Sequence, residues 1–121
     1  MIREFLDQLS SISKAVRALQ SEQDGALNVE QERISNLIAS AAESMSEMVV
    51  SFPEDMSNSA QEIFSFEARS SLATIIGYSE LLLEAVDGGL NDAQRQHVRD
   101  IRTAGSRMLG ILVHDIDQRY S

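Results

Sequence analysis

Apolar residues recur every three or four positions along much of this 121-residue chain. That spacing places them on one face of an α-helix, as in coiled coils and helical bundles. Glycine- or proline-containing segments interrupt the pattern at Asp24-Gly25, at 51–58 around Pro53 and at Asp87-Gly88-Gly89. The spacing therefore predicts four amphipathic helices. The first has its apolar residues at Ile2, Phe5, Leu9, Ile12, Val16 and Leu19.

Helix starts are indicated by residue pairs that fit the capping-box pattern, in which a polar N-cap and a Glu or Gln three residues later exchange hydrogen bonds. Three such pairs precede the second, third and fourth predicted helices: Asn28 with Gln31, Ser59 with Glu62, and Asn91 with Gln94. Only 5% of the residues are aromatic and there is a single proline, a composition that also favours an all-α chain.

The third and fourth helices carry the widest apolar stripes. Each approaches about 27 residues, or about 40 Å, and a hairpin of two such helices needs further helices to cover it. A second copy of the chain or the N-terminal hairpin could supply them, and we favour a homodimeric four-helix bundle of antiparallel hairpins. We divide the chain into an N-terminal hairpin (1–51), a linker (52–58) and a C-terminal hairpin (59–118). The two stripes are Ala68, Leu72, Ile75, Ser79, Leu82 and Val86, then Val98, Ile101, Gly105, Met108, Leu112 and Ile116.

The composition excludes several kinds of function. The chain has no cysteine, so disulfides, thiolate catalysis and Cys-type zinc sites are excluded. Its net charge of −9 argues against nucleic acid or an anionic membrane as the main partner. No apolar run approaches the ~20 residues of a membrane span. We predict a cytoplasmic protein without a cofactor.

The most specific motif lies in the C-terminal half. Residues 65–83 read S-F-E-A-R-S-S-L-A-T-I-I-G-Y-S-E-L-L-L, and residues 90–116 read L-N-D-A-Q-R-Q-H-V-R-D-I-R-T-A-G-S-R-M-L-G-I-L-V-H-D-I. In order and in spacing, these segments resemble the two helices of the dimerisation and histidine-phosphotransfer (DHp) domain of sensor histidine kinases. The first helix of that family typically reads S-H-E-L-R-T-P-L-N-A-I-I-G-Y-S-E-L-L. The resemblance covers about half of the chain and implies a dimeric four-helix bundle.

The chain departs from the family pattern at the position that carries the chemistry. Phe66 stands where the family has its phosphorylated histidine, and a phenyl ring has no lone pair with which to attack phosphorus. Ser71 replaces the usual proline and Ala73 the usual asparagine. No Gly-rich phosphate loop and no ATP-binding domain follow within the 121 residues. The resemblance thus implies a helical frame without phosphotransfer at this position, and no enzyme activity there.

Two groups of residues are candidates for binding a partner. The first surrounds the lost acceptor, where Phe66 is either an interface residue or part of the core. The second is a row of arginines on the fourth helix, which would either meet an acidic receiver domain or pair with glutamates of the third helix. The candidates are Phe66, Glu67, Arg69 and Ser70, and Arg95, Arg99 and Arg102.

These observations favour a non-enzymatic signalling adaptor of a two-component pathway. Its partner would be the receiver domain of a response regulator or a histidine kinase. One alternative is a histidine phosphotransferase that uses His97 or His114. The other is a purely structural dimerisation element of a larger sensor protein.

Overall fold

The computed structural model describes residues 2–21, 25–50, 58–84 and 89–113. These residues form four α-helices and, within those ranges, no strand. The helices are α1 (Ile2–Gln20), α2 (Val29–Val50), α3 (Asn58–Leu83) and α4 (Asp92–Ile111). The predicted all-α fold and the order of its four helices are confirmed.

The four helices form an up-down-up-down bundle. α1 packs against α2 and α4, and α3 packs against the same two helices, so α1 and α3 lie at opposite corners. Gln20, at the end of α1, donates a hydrogen bond to Ser35 Oγ near the start of α2 (3.0 Å), so neighbouring helices run antiparallel. Across the centre, the rings of Phe5 and Phe64 meet with centroids 6.1 Å apart.

The apolar stripes of all four helices face one common core. Every described residue of the stripes predicted on α3 and α4 is buried. Val86 and Ile116 lie outside the described residues. On α2 the spacing predicts a stripe of Ile34, Leu37, Ile38, Ala41, Met45, Met48 and Val49, but Leu37, Ala41 and Met48 are only half-buried. These three residues lie at the margin of the stripe because Ile34, Ile38, Met45 and Val49 already fill its centre.

The N-terminal hairpin, formed by α1 and α2, covers the apolar stripes of the C-terminal hairpin, formed by α3 and α4. α1 packs against α4, and α2 packs against α3. Of the two arrangements that the sequence left open, the structure has the one in which a single chain closes the bundle. The uncovered stripe that led us to expect a second copy is therefore absent from the described part of the molecule.

Two of the predicted capping boxes are present. At α2, Asn28 Oδ1 accepts from the Gln31 backbone N–H (2.8 Å) and Gln31 Oε1 accepts from the Asn28 backbone N–H (2.9 Å). Asn91 and Gln94 make the same reciprocal pair at α4, at 2.8 and 3.0 Å. The third predicted pair does not cap its helix, since α3 already begins at Asn58 and Ser59 is helical.

The two cap glutamines also join the hairpins to each other. Gln31 and Gln94 are each only 4% exposed. Gln31 Nε2 donates to the carbonyl of Gly89, which precedes α4 (2.9 Å), and Gln94 Nε2 donates to the carbonyl of Gly25, which precedes α2 (3.0 Å). Each hairpin thus supplies a buried donor to the connector of the other.

We expect Gln94→Ala to lower the free energy of unfolding by about 1–3 kcal/mol, because it removes a capping partner and the donor to a part-buried carbonyl. Gln96→Ala is the matched control, since Gln96 bonds to Asp100 at the surface of the same helix (2.9 Å). The free energy of unfolding of this control should stay within about 0.5 kcal/mol of that of the unmodified chain. Urea denaturation followed by circular dichroism measures both. Equal losses would contradict a structural role for the buried glutamine.

Two helical glycines differ in the space around them. A Cβ at exposed Gly77 in α3 would meet nothing within 4 Å, whereas one at buried Gly105 in α4 would lie 3.1 Å from Ile76 Cγ1. Gly77→Ala should therefore raise stability by about 0.5–1 kcal/mol, the helix-propensity difference. Gly105→Ala should raise stability by less, because the side chain of Ile76 must move to make room for the added methyl group. Melting temperatures in the reverse order would contradict this packing.

Candidate functional site

The side chain of Phe66 points outward from the first half of α3. It is 75% exposed, whereas Phe64, two residues earlier, is 6% exposed and packs against Phe5. Two residues advance a helix by about 200°, so the neighbouring phenylalanines occupy opposite sides. Of the two interpretations of Phe66 that the sequence allowed, membership of the core is excluded.

Phe66 borders an open groove between α2 and α3 with a volume of about 520 Å³. Three of the residues predicted to bind a partner, Phe66, Glu67 and Ser70, are brought together there. We call this surface the Phe66 face; it consists of Ser44, Glu47 and Met48 of α2 and Phe66, Glu67, Ser70 and Ser71 of α3.

Further apolar side chains are exposed at the same end of the bundle. Ile63 lies one helical turn before Phe66 and is 60% exposed, and Val50 at the end of α2 is more exposed still. Isolated exposed apolar residues are ordinary, but an aromatic ring beside Ile63 and next to a groove is typical of an interaction surface. This end of the bundle is the strongest candidate for a docking site.

The Phe66 face contains both apolar and acidic side chains. Glu47 and Glu67 line it from α2 and α3, and the whole chain carries a net charge of −9. Away from this face, near the start of α2, Arg33 donates a hydrogen bond to the exposed Glu30 carboxylate and lowers the pKa of that carboxyl. The charge of the face favours a partner with basic side chains around an apolar contact.

The remaining predicted residues do not line this groove. Arg69 is exposed on α3 but is not part of the Phe66 face. On α4, Arg95 donates to the backbone carbonyls of Leu83 (3.4 Å) and Leu90 (3.5 Å), so it stabilises the connector between α3 and α4. Among the described residues, none of the three arginines pairs with a glutamate of α3.

The arginine row also lies far from Phe66. Gly105 of α4 is level with Ile75 and Ile76 of α3. Because the helices are antiparallel, Arg99 is level with a position about 15 residues beyond Phe66, or about 22 Å along the bundle. The structure therefore separates the two predicted groups, and only Phe66, Glu67 and Ser70 of the first group share one surface.

His97 lies in a different groove, between α1 and α4. It is half-buried and lines, with Lys14, Asp100 and Arg107, a space of about 400 Å³. The two cationic side chains border the same space as the imidazole, where they could favour an anionic group. His114 lies outside the described residues. In the described ranges, no set of three or more His, Asp or Glu side chains could hold a metal ion, and no helix has the length and apolar character needed to cross a bilayer.

The contribution of α2 to the Phe66 face was not predicted from the sequence. Met45 is fully buried, while half-buried Met48 lines the groove. Ser44 and Glu47 carry no distinguishing pattern. Their role depends on which helix packs beside α3, and helical spacing alone does not specify that neighbour.

Comparison with protein-family models, with curated proteins and with solved structures returns no match to this chain. The resemblance to the DHp family therefore depends on the motif residues of α3 and α4 alone.

Proposed function

We propose that this protein is a non-enzymatic adaptor of a two-component signalling pathway that docks its partner on the Phe66 face. The observation that carries the proposal is the exposed phenyl ring at the position where the resembling family has its phosphorylated histidine. A phenyl ring cannot accept a phosphoryl group. It can contribute a large apolar contact to a protein interface, where aromatic residues often provide much of the binding energy.

The closed bundle favours a receiver domain over a histidine kinase as that partner. A kinase would have to exchange helices with this chain, which requires separating α1 and α2 from α3 and α4. That separation exposes fully buried residues such as Ile12, Ile38, Ile75 and Ile101. A receiver domain docks from outside and leaves the core intact. The separation is a barrier of several buried aliphatic side chains at about 1.5–3 kcal/mol each, which a domain that docks from outside does not have to cross.

We also expect the adaptor to act as a single chain, in contrast to the homodimer predicted from the sequence. The N-terminal hairpin covers the stripes that a second copy was expected to cover. Light scattering at micromolar concentration should give a mass near 13.4 kDa. A mass twice as large would support the original homodimer and would place its interface on the outer surface of the bundle.

A binding screen tests the adaptor proposal. The full chain is immobilised and exposed to the receiver domains and histidine kinases of its host, and retained proteins are titrated by calorimetry. Leu81→Ala is the control variant, since Leu81 is a partly exposed apolar residue at the other end of α3. It should bind as the unmodified chain does. If neither a receiver domain nor a kinase is retained, the adaptor proposal is refuted.

The groove around His97 supports phosphotransfer as a second candidate function. Lys14 of α1 lines the same groove as the His97 imidazole and is a cation that would favour a phosphoryl group there. The chain is incubated with phosphorylated receiver domains and examined for acid-labile phosphate. Label that disappears in His97→Ala would establish this function at His97, and label that disappears only in His114→Ala would assign it to His114. An unlabelled chain would remove the candidate.

A further inference from the structure

One short pattern occurs twice in the chain. Leu27-Asn28-x-x-Gln31 precedes and opens α2, and Leu90-Asn91-x-x-Gln94 precedes and opens α4. The two copies are 63 positions apart, as Asn28 is from Asn91. Both form complete capping boxes. The starts of α2 and α4 are therefore equivalent both in sequence and in hydrogen bonding.

The buried residues of the two hairpins keep the same separation. In α1 and α3, Leu9 corresponds to Leu72, Ile12 to Ile75 and Leu19 to Leu82, and all six are buried. In α2 and α4, the buried residues Ile38, Met45 and Val49 correspond to Ile101, Met108 and Leu112. The helical period alone would not keep a single offset through two helices and the connector between them.

The hydrogen bonds between the hairpins are reciprocal under the same offset. Gln31 donates to the carbonyl of Gly89, and Gln94 donates to the carbonyls of Gly25 (3.0 Å) and Ala26 (3.4 Å). Ala26 and Gly89 are themselves counterparts. Equivalent helices, α1 with α3 and α2 with α4, stand at opposite corners of the bundle. This is the arrangement that a two-fold axis along the bundle produces.

The outer surfaces of the two hairpins have diverged. The counterpart of Phe66 is Arg3, and the counterparts of Ser70 and Ser71 are Asp7 and Gln8. The surface between α4 and α1 that corresponds to the Phe66 face therefore has charged side chains in place of the phenyl ring. The phenyl ring, the largest apolar group of the Phe66 face, therefore has no counterpart on the equivalent surface.

We infer that the chain is a tandem duplication of one helical hairpin, in which the N-terminal copy takes the place of a second subunit and only the Phe66 face has kept a docking site, for one amphipathic helix per chain. The inference deepens the proposed function and shares its surface. A groove between two helices accommodates the apolar side of a third helix. Glu67, which lines the groove in a chain of net charge −9, selects a helix whose apolar stripe is flanked by lysine or arginine.

A peptide probe tests this inference without the natural partner. Isotope-labelled full-length protein is titrated with a synthetic amphipathic helix that carries a leucine stripe flanked by lysines. Amide shifts should be confined to α2 and α3, and the curve should saturate at one peptide per chain. Phe66→Ala should weaken binding by at least about tenfold. Arg3→Ala, the control at the equivalent position of α1, should bind as the unmodified chain does.

A second variant tests the equivalence of the hairpins. Arg3→Phe and Asp7→Ser, combined with Arg107→Ser and Gly110→Glu at the counterparts of Ser44 and Glu47, should add shifts in α1 and α4 and raise the stoichiometry to two peptides. An unchanged single site in this variant would overturn the equivalence of the two surfaces. In the unmodified chain, shifts on both surfaces, or none in α2 and α3, would overturn the single docking site. Peptide binding at the Phe66 face without binding of any receiver domain or kinase would instead refute the proposed function alone.

Discussion

Ile75→Asp should leave the protein largely unfolded at neutral pH. Ile75 is completely buried in α3, and its Cγ2 would lie 3.6 Å from a Cβ placed on Gly105. An unpaired carboxylate in such a site costs several kcal/mol, and the contacts of the isoleucine are lost as well. The total stability of a domain of this size is only about 5–15 kcal/mol. Circular dichroism should show a large loss of helix at 25 °C or a greatly lowered melting temperature.

Ala73→Asp is the matched control for that experiment. Ala73 lies two residues away on the same helix and is exposed. This variant carries the same aspartate, with the same low helix propensity, at an exposed position. Its free energy of unfolding should fall by less than about 1 kcal/mol. Similar melting curves for the two variants would mean that the inward face of α3 has been assigned wrongly.

Helix positions could be predicted from the sequence because each helix has its own regular apolar stripe and most connectors contain glycine or proline. The capping pairs at Asn28 and Asn91 also follow from local sequence, since an N-cap side chain bonds to a backbone N–H only three residues away. The misplaced pair at Ser59 shows the limit of this reasoning. A serine followed by a glutamate also occurs inside helices, where the backbone N–H groups are already bonded.

The closure of the bundle could not be predicted from the stripes. Apolar surface is non-directional, so the stripe on α3 and α4 is covered equally well by a second chain or by α1 and α2. A sequence signal that favours closure within one chain is the repeated Leu-Asn-x-x-Gln pattern of the two hairpins. This repeat is hard to recognise from the sequence because several counterparts differ in polarity although they are all buried. Examples are Val16 with Ser79 and Ser35 with Val98. Ser79 and Ser35 donate to backbone carbonyls within their own helices, so burial does not leave their hydroxyls unsatisfied.

The candidate site was predicted in part. Phe66, Glu67 and Ser70 could be selected from the motif because they are adjacent in sequence and share one end of a helix. The arginine row was regular on the helix surface, but periodicity states only that Arg95, Arg99 and Arg102 share a side. It carries no information about the carbonyls of Leu83 and Leu90, which Arg95 contacts across the connector.

Phe66→Ala should weaken binding of the signalling partner by about 2 kcal/mol or more, roughly 30-fold, and leave the melting temperature unchanged. The ring is 75% exposed, so its removal leaves no cavity in the core. Calorimetric titration of the partner retained in the binding screen measures the first effect, and thermal denaturation measures the second without any partner.

Phe64→Ala provides the opposite control within the same turn of α3. Its ring is buried against Phe5, so truncation should cost about 3–5 kcal/mol of stability through the cavity that it leaves. Binding per folded molecule should change little, because Phe64 does not line the Phe66 face. A lowered melting temperature for Phe66→Ala would mean that the ring is part of the core. Unchanged affinity in a stable Phe66→Ala variant would instead move the docking surface to another part of the bundle, since the ring is the largest apolar group that the Phe66 face offers a partner.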